Sequence, residues 1–222
     1  MPAWPVLVPD EEWAEAARSA GRDFPDLDVL TPGGNGTSST AVSRAAAIVT
    51  QRTPVGTDLL TQAAELRVLL KLGRVYDHVD LDAVRARGVP FGMVPRKGPS
   101  CVAELALTLI LALSKDLVTA HRDVASGAYR TRGIEPVKTS QRVIAFRWMQ
   151  PARLHEVRGK TLGCVGFGEI GCELSLRARP LGMRVLYTRR RALPTPLEQT
   201  YDVAYRPLQA LLEESDYVCV AV

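Results

Sequence analysis

Short apolar runs alternate along the chain with stretches of helical period, and this alternation predicts a parallel β-sheet covered by helices on both faces. In the first half, residues 6–8, 28–30, 47–50, 67–72 and 89–94 read as strands, and 11–20, 57–64 and 81–87 as helices between them. Residues 31–40, with Pro32, Gly33, Gly34, Asn35 and Gly36, have the composition of a loop. Together these segments predict a self-contained α/β lobe over residues 1–98.

A second lobe is expected over 99–222. It opens on one long helix, 101–120, with Val102, Leu105, Leu109 and Leu113 among apolar residues on nearly every face. Such a helix should be buried between lobes or subunits. From 126 to 158 the pattern dissolves into polar, basic and aromatic residues, including Tyr129, Arg130, Phe146, Arg147 and Trp148, and reads as a long connection with room for a short helix. Periodicity returns as a strand at 162–165, a helix at 170–179 ended by Pro180, Leu181 and Gly182, and a strand at 183–187. A helix near 208–212 and an apolar run at 217–222 follow, the latter expected as the third strand of this sheet.

Between the first strand and helix of that lobe lies Gly166-Phe167-Gly168-Glu169-Ile170-Gly171. Three glycines so spaced occur by chance, in bulges and in ordinary loops. Here they sit inside a complete strand–helix–strand unit, the context in which the spacing signals dinucleotide binding. Gly166 permits a tight turn, Gly168 allows the backbone to approach a pyrophosphate, Gly171 lets the helix lie close on the strand, and the first helical amides face the phosphates. The alternative is a purely structural turn.

The residues after the second strand meet the adenine ribose in such folds. Here they are Thr188-Arg189-Arg190-Arg191. Guanidinium groups there give a 2′-phosphate charge-assisted hydrogen bonds of roughly 1.5–3 kcal/mol each, so the segment predicts NADP in preference to NAD. The alternative is a solvated basic turn.

Composition adds limits. The 222 residues are 46% hydrophobic, enough for one large or two small domains, and the net charge of +4 comes from scattered basic residues. Anionic small molecules need no more than this, and nucleic acid is not implied. Cys101, Cys164, Cys172 and Cys219 lack the spacing of a disulfide framework or a zinc site and fit a reducing, cytoplasmic setting. Residues 1–9 do not resemble a signal peptide. The longest apolar run, 105–113, falls well short of the roughly 20 residues that cross a bilayer.

Beyond about Thr50 the chain resembles a known family, the D-isomer-specific 2-hydroxyacid dehydrogenases, which include glyoxylate and hydroxypyruvate reductases. The pieces that carry the resemblance occur in order: Leu66-Arg67-Val68, Tyr76-Asp77-His78-Val79-Asp80-Leu81, Ala86-Arg87-Gly88-Val89-Pro90, Val102-Ala103-Glu104-Leu105-Ala106-Leu107 and Gly127-Ala128-Tyr129-Arg130. The strongest runs from 157 to 185, and Leu211-Leu212-Glu213-Glu214-Ser215-Asp216-Tyr217-Val218 closes the series.

The resemblance implies an α/β fold of two lobes, a flavodoxin-like substrate lobe and a Rossmann-type dinucleotide-binding lobe, with a small 2-oxo or 2-hydroxy acid bound in the cleft. Hydride would pass between that acid and the nicotinamide. It also implies a dimer. The coenzyme residues would be Gly166, Phe167, Gly168, Glu169, Ile170, Gly171, Thr188, Arg189, Arg190, Ala221 and Val222. The substrate carboxylate would meet backbone amides in Leu72-Gly73-Arg74-Val75. The family often has glycine where Val75 stands, so Arg74 becomes a candidate cation for the carboxylate, the alternative being a solvated side chain. Asp77, His78 and Asp80 suit capping or packing.

In the family, an arginine, a histidine and an acid do the catalysis, and all three lie beyond the strand represented by residues 217–222. No catalytic residue is therefore assigned, His121 and His155 being in the wrong parts of the chain, and no metal is expected. On this reading the sequence holds the first half of the doubly wound sheet and is truncated. Three readings stay open: the amino-terminal part of an NADP-preferring 2-oxo acid reductase, a coenzyme-binding but inactive partner of a full-length subunit, and a regulatory scaffold.

Overall fold

The computed structural model describes residues 3–31, 39–135, 138, 140, 142 and 154–222. Most of the glycine-rich loop at 32–38, and Phe146, Arg147 and Trp148 of the long connection, lie outside the described residues. The chain divides into two compact units, Met1–Lys97 and Gly98–Val222.

In the first unit β1 (Trp4–Leu7), α1 (Ala14–Asp23), β2 (Leu27–Leu30), α2 (Ser39–Arg44), β3 (Ala47–Thr50), α3 (Thr57–Gln62), β4 (Val68–Leu72), α4 (Leu81–Ala86) and β5 (Phe91–Val94) alternate strictly. The strands are all parallel in the order β2-β1-β3-β4-β5, the flavodoxin-like winding. Leu7, Leu30, Ile48 and Leu69 project from four strands into one core with Val42, Leu60 and Val84 from the helices. Asp80 caps α4 by accepting from the Ala83 amide, as the sequence suggested.

A buried carboxylate latches the carboxyl ends of β1 and β3. Asp10 accepts from the amides of Gln51 (2.6 Å), Arg52 (2.7 Å) and Thr53 (2.9 Å) and from the hydroxyls of Thr50 and Thr53. Burial pushes its pKa up, but these donors together outweigh burial and hold it below the usual carboxylate value.

The second unit opens with α5 (Lys97–Ser114), α6 (Leu117–Ala125) and α7 (Ala128–Thr131). It continues through β6 (Thr161–Val165), α8 (Glu169–Ala178), β7 (Arg184–Thr188), α9 (Thr195–Tyr201), β8 (Val203–Tyr205), α10 (Leu208–Glu214) and β9 (Tyr217–Val220). The four strands are parallel in the order β8-β7-β6-β9, which is 3-2-1-4 in order of occurrence and the winding of a Rossmann-type sheet. Leu162 and Cys164 of β6 are fully buried, as are Leu174 of α8 and Leu211 of α10. Burial also holds Cys164 far above the usual thiol range, so it packs as a protonated side chain.

Several expectations change. The helix expected at 101–120 starts earlier and breaks: Asp116 adopts a left-handed conformation (φ 48°), and the Ser114 carbonyl accepts from the His155 amide instead of continuing the helix. The run at 217–222 supplies the fourth strand, not the third, because the three-residue β8 intervenes where Asp202 (φ 49°) ends α9 and turns the chain. On α5, Leu105, Leu109 and Leu113 are exposed among the described residues, at 58%, 56% and 71%. Among the described residues α5 is also the one helix long and apolar enough to cross a membrane by length and composition, contrary to the reading of residues 105–113 alone. Polar contacts hold it to α8: Ser100 donates to Glu173 (3.0 Å), Arg177 pairs with Glu173 (2.6 Å), and Arg177 also reaches Glu104 (3.4 Å).

Replacing Asp10→Ala should lower unfolding stability by about 2–4 kcal/mol, since it leaves several buried amides without an acceptor. The latch contributes above the unfolded carboxylate pKa of about 4 and is lost as pH falls through the lower folded value. Denaturant titrations at neutral pH and below about pH 3 check this: the variant's deficit should shrink in acid.

Candidate functional site

The carboxyl ends of β6, β7 and β9 converge at the point where strand order reverses, the position at which open α/β sheets bind ligands. From β6 the chain enters the glycine turn. Gly166 is left-handed (φ 86°) and boxed in: its amide donates to the carbonyl of Thr188, the last residue of β7 (2.9 Å), and a methyl on its Cα would overlap the Ala221 carbonyl beyond β9. Ala221 is held there by its own amide, which donates to the Val165 carbonyl (2.8 Å).

Gly168 differs. It is exposed, and a Cβ added there would meet nothing within 4 Å. It leads directly into α8, whose first-turn amides make no bond within the helix and carry its positive end. An anion can therefore reach Gly168, Glu169, Ile170 and Gly171 without a side chain from Gly168 in the way.

Phe167 points inward, 2% exposed, with its ring centroid 4.8 Å from that of Tyr187 and 6.4 Å from that of Tyr201. A Cβ at Gly171 would come within 2.7 Å of the Phe167 ring, so Gly171 makes room for this ring and not for the strand, as the motif alone suggested. Close packing of helix on strand falls to Gly163 of β6, where a side chain would overlap Ser215 and Leu211. Sequence reading passed over Gly163, and a glycine inside an otherwise apolar strand was the available signal.

At the end of β7, Thr188 and the following Arg189 are half-buried while Arg190 and Arg191 are exposed. The Arg189 Nη1 is removed from solvent. The three guanidinium groups thus stand on the short segment that Gly166 ties to the glycine turn. Glu169 adds a carboxylate in the first turn of α8, which favours the helix but opposes a second anion.

The substrate candidates lie in the first unit. Leu72 ends β4, and Gly73 follows in a left-handed conformation (φ 98°) with its amide donating to the Val94 carbonyl at 2.7 Å. That amide is committed to the fold, which narrows the expected carboxylate cradle. Arg74 and Val75 are half-buried. Sequence reading missed Lys71, 1% exposed, whose ammonium donates to the Leu72 carbonyl beside this segment; a lysine within an apolar strand was its only signal. His78 Nδ1 lies 3.8 Å from the Asp77 carboxylate, and its Nε2 is buried with no hydrogen-bond partner among the described residues.

This geometry defines a dinucleotide-binding α/β unit. The model of the D-isomer specific 2-hydroxyacid dehydrogenase NAD binding domain matches residues 107–222, more than half of the chain, and the chain belongs to that family. A glyoxylate reductase of Thermococcus gammatolerans is 33% identical over 166 residues, covering 74% of this chain and 46% of that protein. One from Thermococcus kodakarensis is 34% identical over 170 residues, covering 76% and 47%. Among solved structures, D-mandelate dehydrogenase of Rhodotorula graminis aligns with a TM-score of 0.47 at 24% identity, over 99% of this chain and 66% of that one. The chain spans about half the length of the curated relatives it matches.

Two glycine substitutions separate fold from binding. Gly168→Ala should leave unfolding stability within about 0.5 kcal/mol, because the added methyl meets open space. Gly166→Ala should cost roughly 1–3 kcal/mol through its left-handed backbone and the Ala221 carbonyl. Thermal or urea melts of both variants check the contrast, and equal losses would contradict it.

Proposed function

We propose that this chain is the amino-terminal part of an NAD(P)-dependent reductase of small 2-oxo acids, with NADP preferred and glyoxylate as the first substrate to test. The observation that carries the proposal is the pairing of an open Gly168 at a helix amino terminus with three arginines on a segment bonded to the same turn. Gly168, Glu169, Ile170 and Gly171 would hold the diphosphate through their backbone. Thr188, Arg189 and Arg190 would hold the 2′-phosphate, with Ala221 and Val222 lining the crevice beside Phe167. Leu72, Arg74 and Val75 would meet the substrate carboxylate, with Lys71 adding positive charge nearby. A bound reduced nicotinamide supplies the hydride for the 2-oxo carbon. No residue of this chain is assigned to the proton transfer.

Fluorescence titration tests the coenzyme half of the proposal. NADPH should bind about 100-fold or more tightly than NADH, the yield of two charge-assisted hydrogen bonds. Arg189→Asp should weaken NADPH about 10- to 100-fold and leave NADH unchanged or improved. Unchanged preference would remove the arginines from coenzyme choice. Glyoxylate-dependent oxidation of NADPH tests the other half; saturable binding without turnover would favour a coenzyme-binding but inactive partner.

That second reading has its own support in the exposed stripe of Leu105, Leu109 and Leu113 on α5, continued by Leu117 and Val118 on α6. An apolar face of this extent is costly in water, and we propose that a second copy or a longer homologous subunit covers it. A cytoplasmic setting fits four cysteines that form no disulfide. Light scattering should give twice the chain mass for the wild type and a monomer for Leu105→Lys with Leu109→Lys. A wild-type monomer at micromolar concentration would contradict association of like chains.

A further inference from the structure

We infer that Tyr187, with Glu198, is the positioning pair that sets coenzyme choice, because it fixes the arginine segment and supports the phosphate turn through one side chain. The inference rests on the coenzyme reading above and extends it to residues that touch no ligand.

Tyr187 is fully buried near the end of β7, where a phenol hydroxyl is tolerated only if its hydrogen bonds are made. Both are. The hydroxyl accepts from the Leu193 amide at 2.7 Å and donates to Glu198 Oε1 of α9 at 2.8 Å. The same carboxylate oxygen accepts from the Tyr205 amide of β8 at 3.3 Å. Burial, and then the neighbouring Glu198, push the phenol up to about 12, so the hydroxyl stays a donor throughout the physiological range.

The consequence falls on residues 189–192. Their leading neighbour Thr188 is held by the Gly166 amide on its carbonyl, and their trailing neighbour Leu193 is held by the Tyr187 hydroxyl. The arginines therefore ride on a four-residue loop anchored at both ends to one scaffold. The Tyr187 ring also lies against Phe167 of the phosphate turn at 4.8 Å and Tyr205 at 5.6 Å. One side chain thus fixes the spacing between the position proposed for the diphosphate and that proposed for the 2′-phosphate. Anchoring lowers the ordering cost that a free loop would meet on binding.

Adenosine 2′,5′-bisphosphate and adenosine 5′-monophosphate, titrated against the full chain, isolate the effect because they differ only in the 2′-phosphate. Tyr187→Phe keeps the ring packing and removes the anchor. It should weaken the bisphosphate about tenfold and leave the monophosphate within about twofold. Glu198→Ala, on a half-buried side chain, should reproduce the loss even if Tyr187→Phe does not fold, whereas Glu198→Gln, which keeps an acceptor, should retain the preference. Equal weakening of both probes would reduce the pair to fold maintenance and overturn the inference. A wild-type preference that survives Tyr187→Phe and Glu198→Ala overturns the inference alone, and a wild type that binds both probes alike overturns the 2′-phosphate reading and the inference with it.

Discussion

Gly166 has no room for a side chain. Its amide is bonded to the carbonyl of the last residue of β7, and the carbonyl that follows β9 occupies the space where a Cβ would stand. Three strand ends are thereby drawn together at the reversal of strand order, and everything proposed about coenzyme binding depends on that convergence. Because Gly166 is fixed, Phe167 must turn inward; because Phe167 turns inward, Gly171 must lack a side chain and Gly168 is left on the surface at the start of α8. The three glycines of the motif thus do three different jobs, one against backbone, one toward solvent and one against an aromatic ring.

Much of this was legible in the sequence where the determinant is local. The buried strands β3, β6 and β7 are runs of apolar and β-branched residues too short for helices, and the glycine spacing after β6 gains its meaning from the strand and helix on either side. The elements that escaped are those set by single conformations or distant partners. Helix α2 is built from small polar residues beside a loop, β8 is three residues long and exists because Asp202 turns left-handed, and the break after α5 follows from Asp116 and from the return of the chain at His155. Nothing near Asp10 announces that it accepts from five donors 40 to 43 positions away, and nothing near Tyr187 announces Glu198.

Charge is distributed so that each unit deals with it differently. In the first, the Asp10 carboxylate is satisfied by backbone amides and gives rigidity to the ends of β1 and β3. In the second, Glu173, Arg177 and Glu104 neutralise one another between α5 and α8. The arginines after β7 stand apart from that network, on a segment whose position is set by hydrogen bonds to Gly166 and Tyr187. Positive charge held at a fixed place beside a helix amino terminus is what a phosphorylated dinucleotide requires.

The most direct measurement is amide hydrogen exchange of the full chain with and without NADPH. The account predicts saturable protection concentrated at Gly168 to Gly171 and at the arginine segment, with the Gly166 amide already protected in the free chain. Protection spread evenly over the second unit, or no saturable change at Gly168 to Gly171, would contradict it.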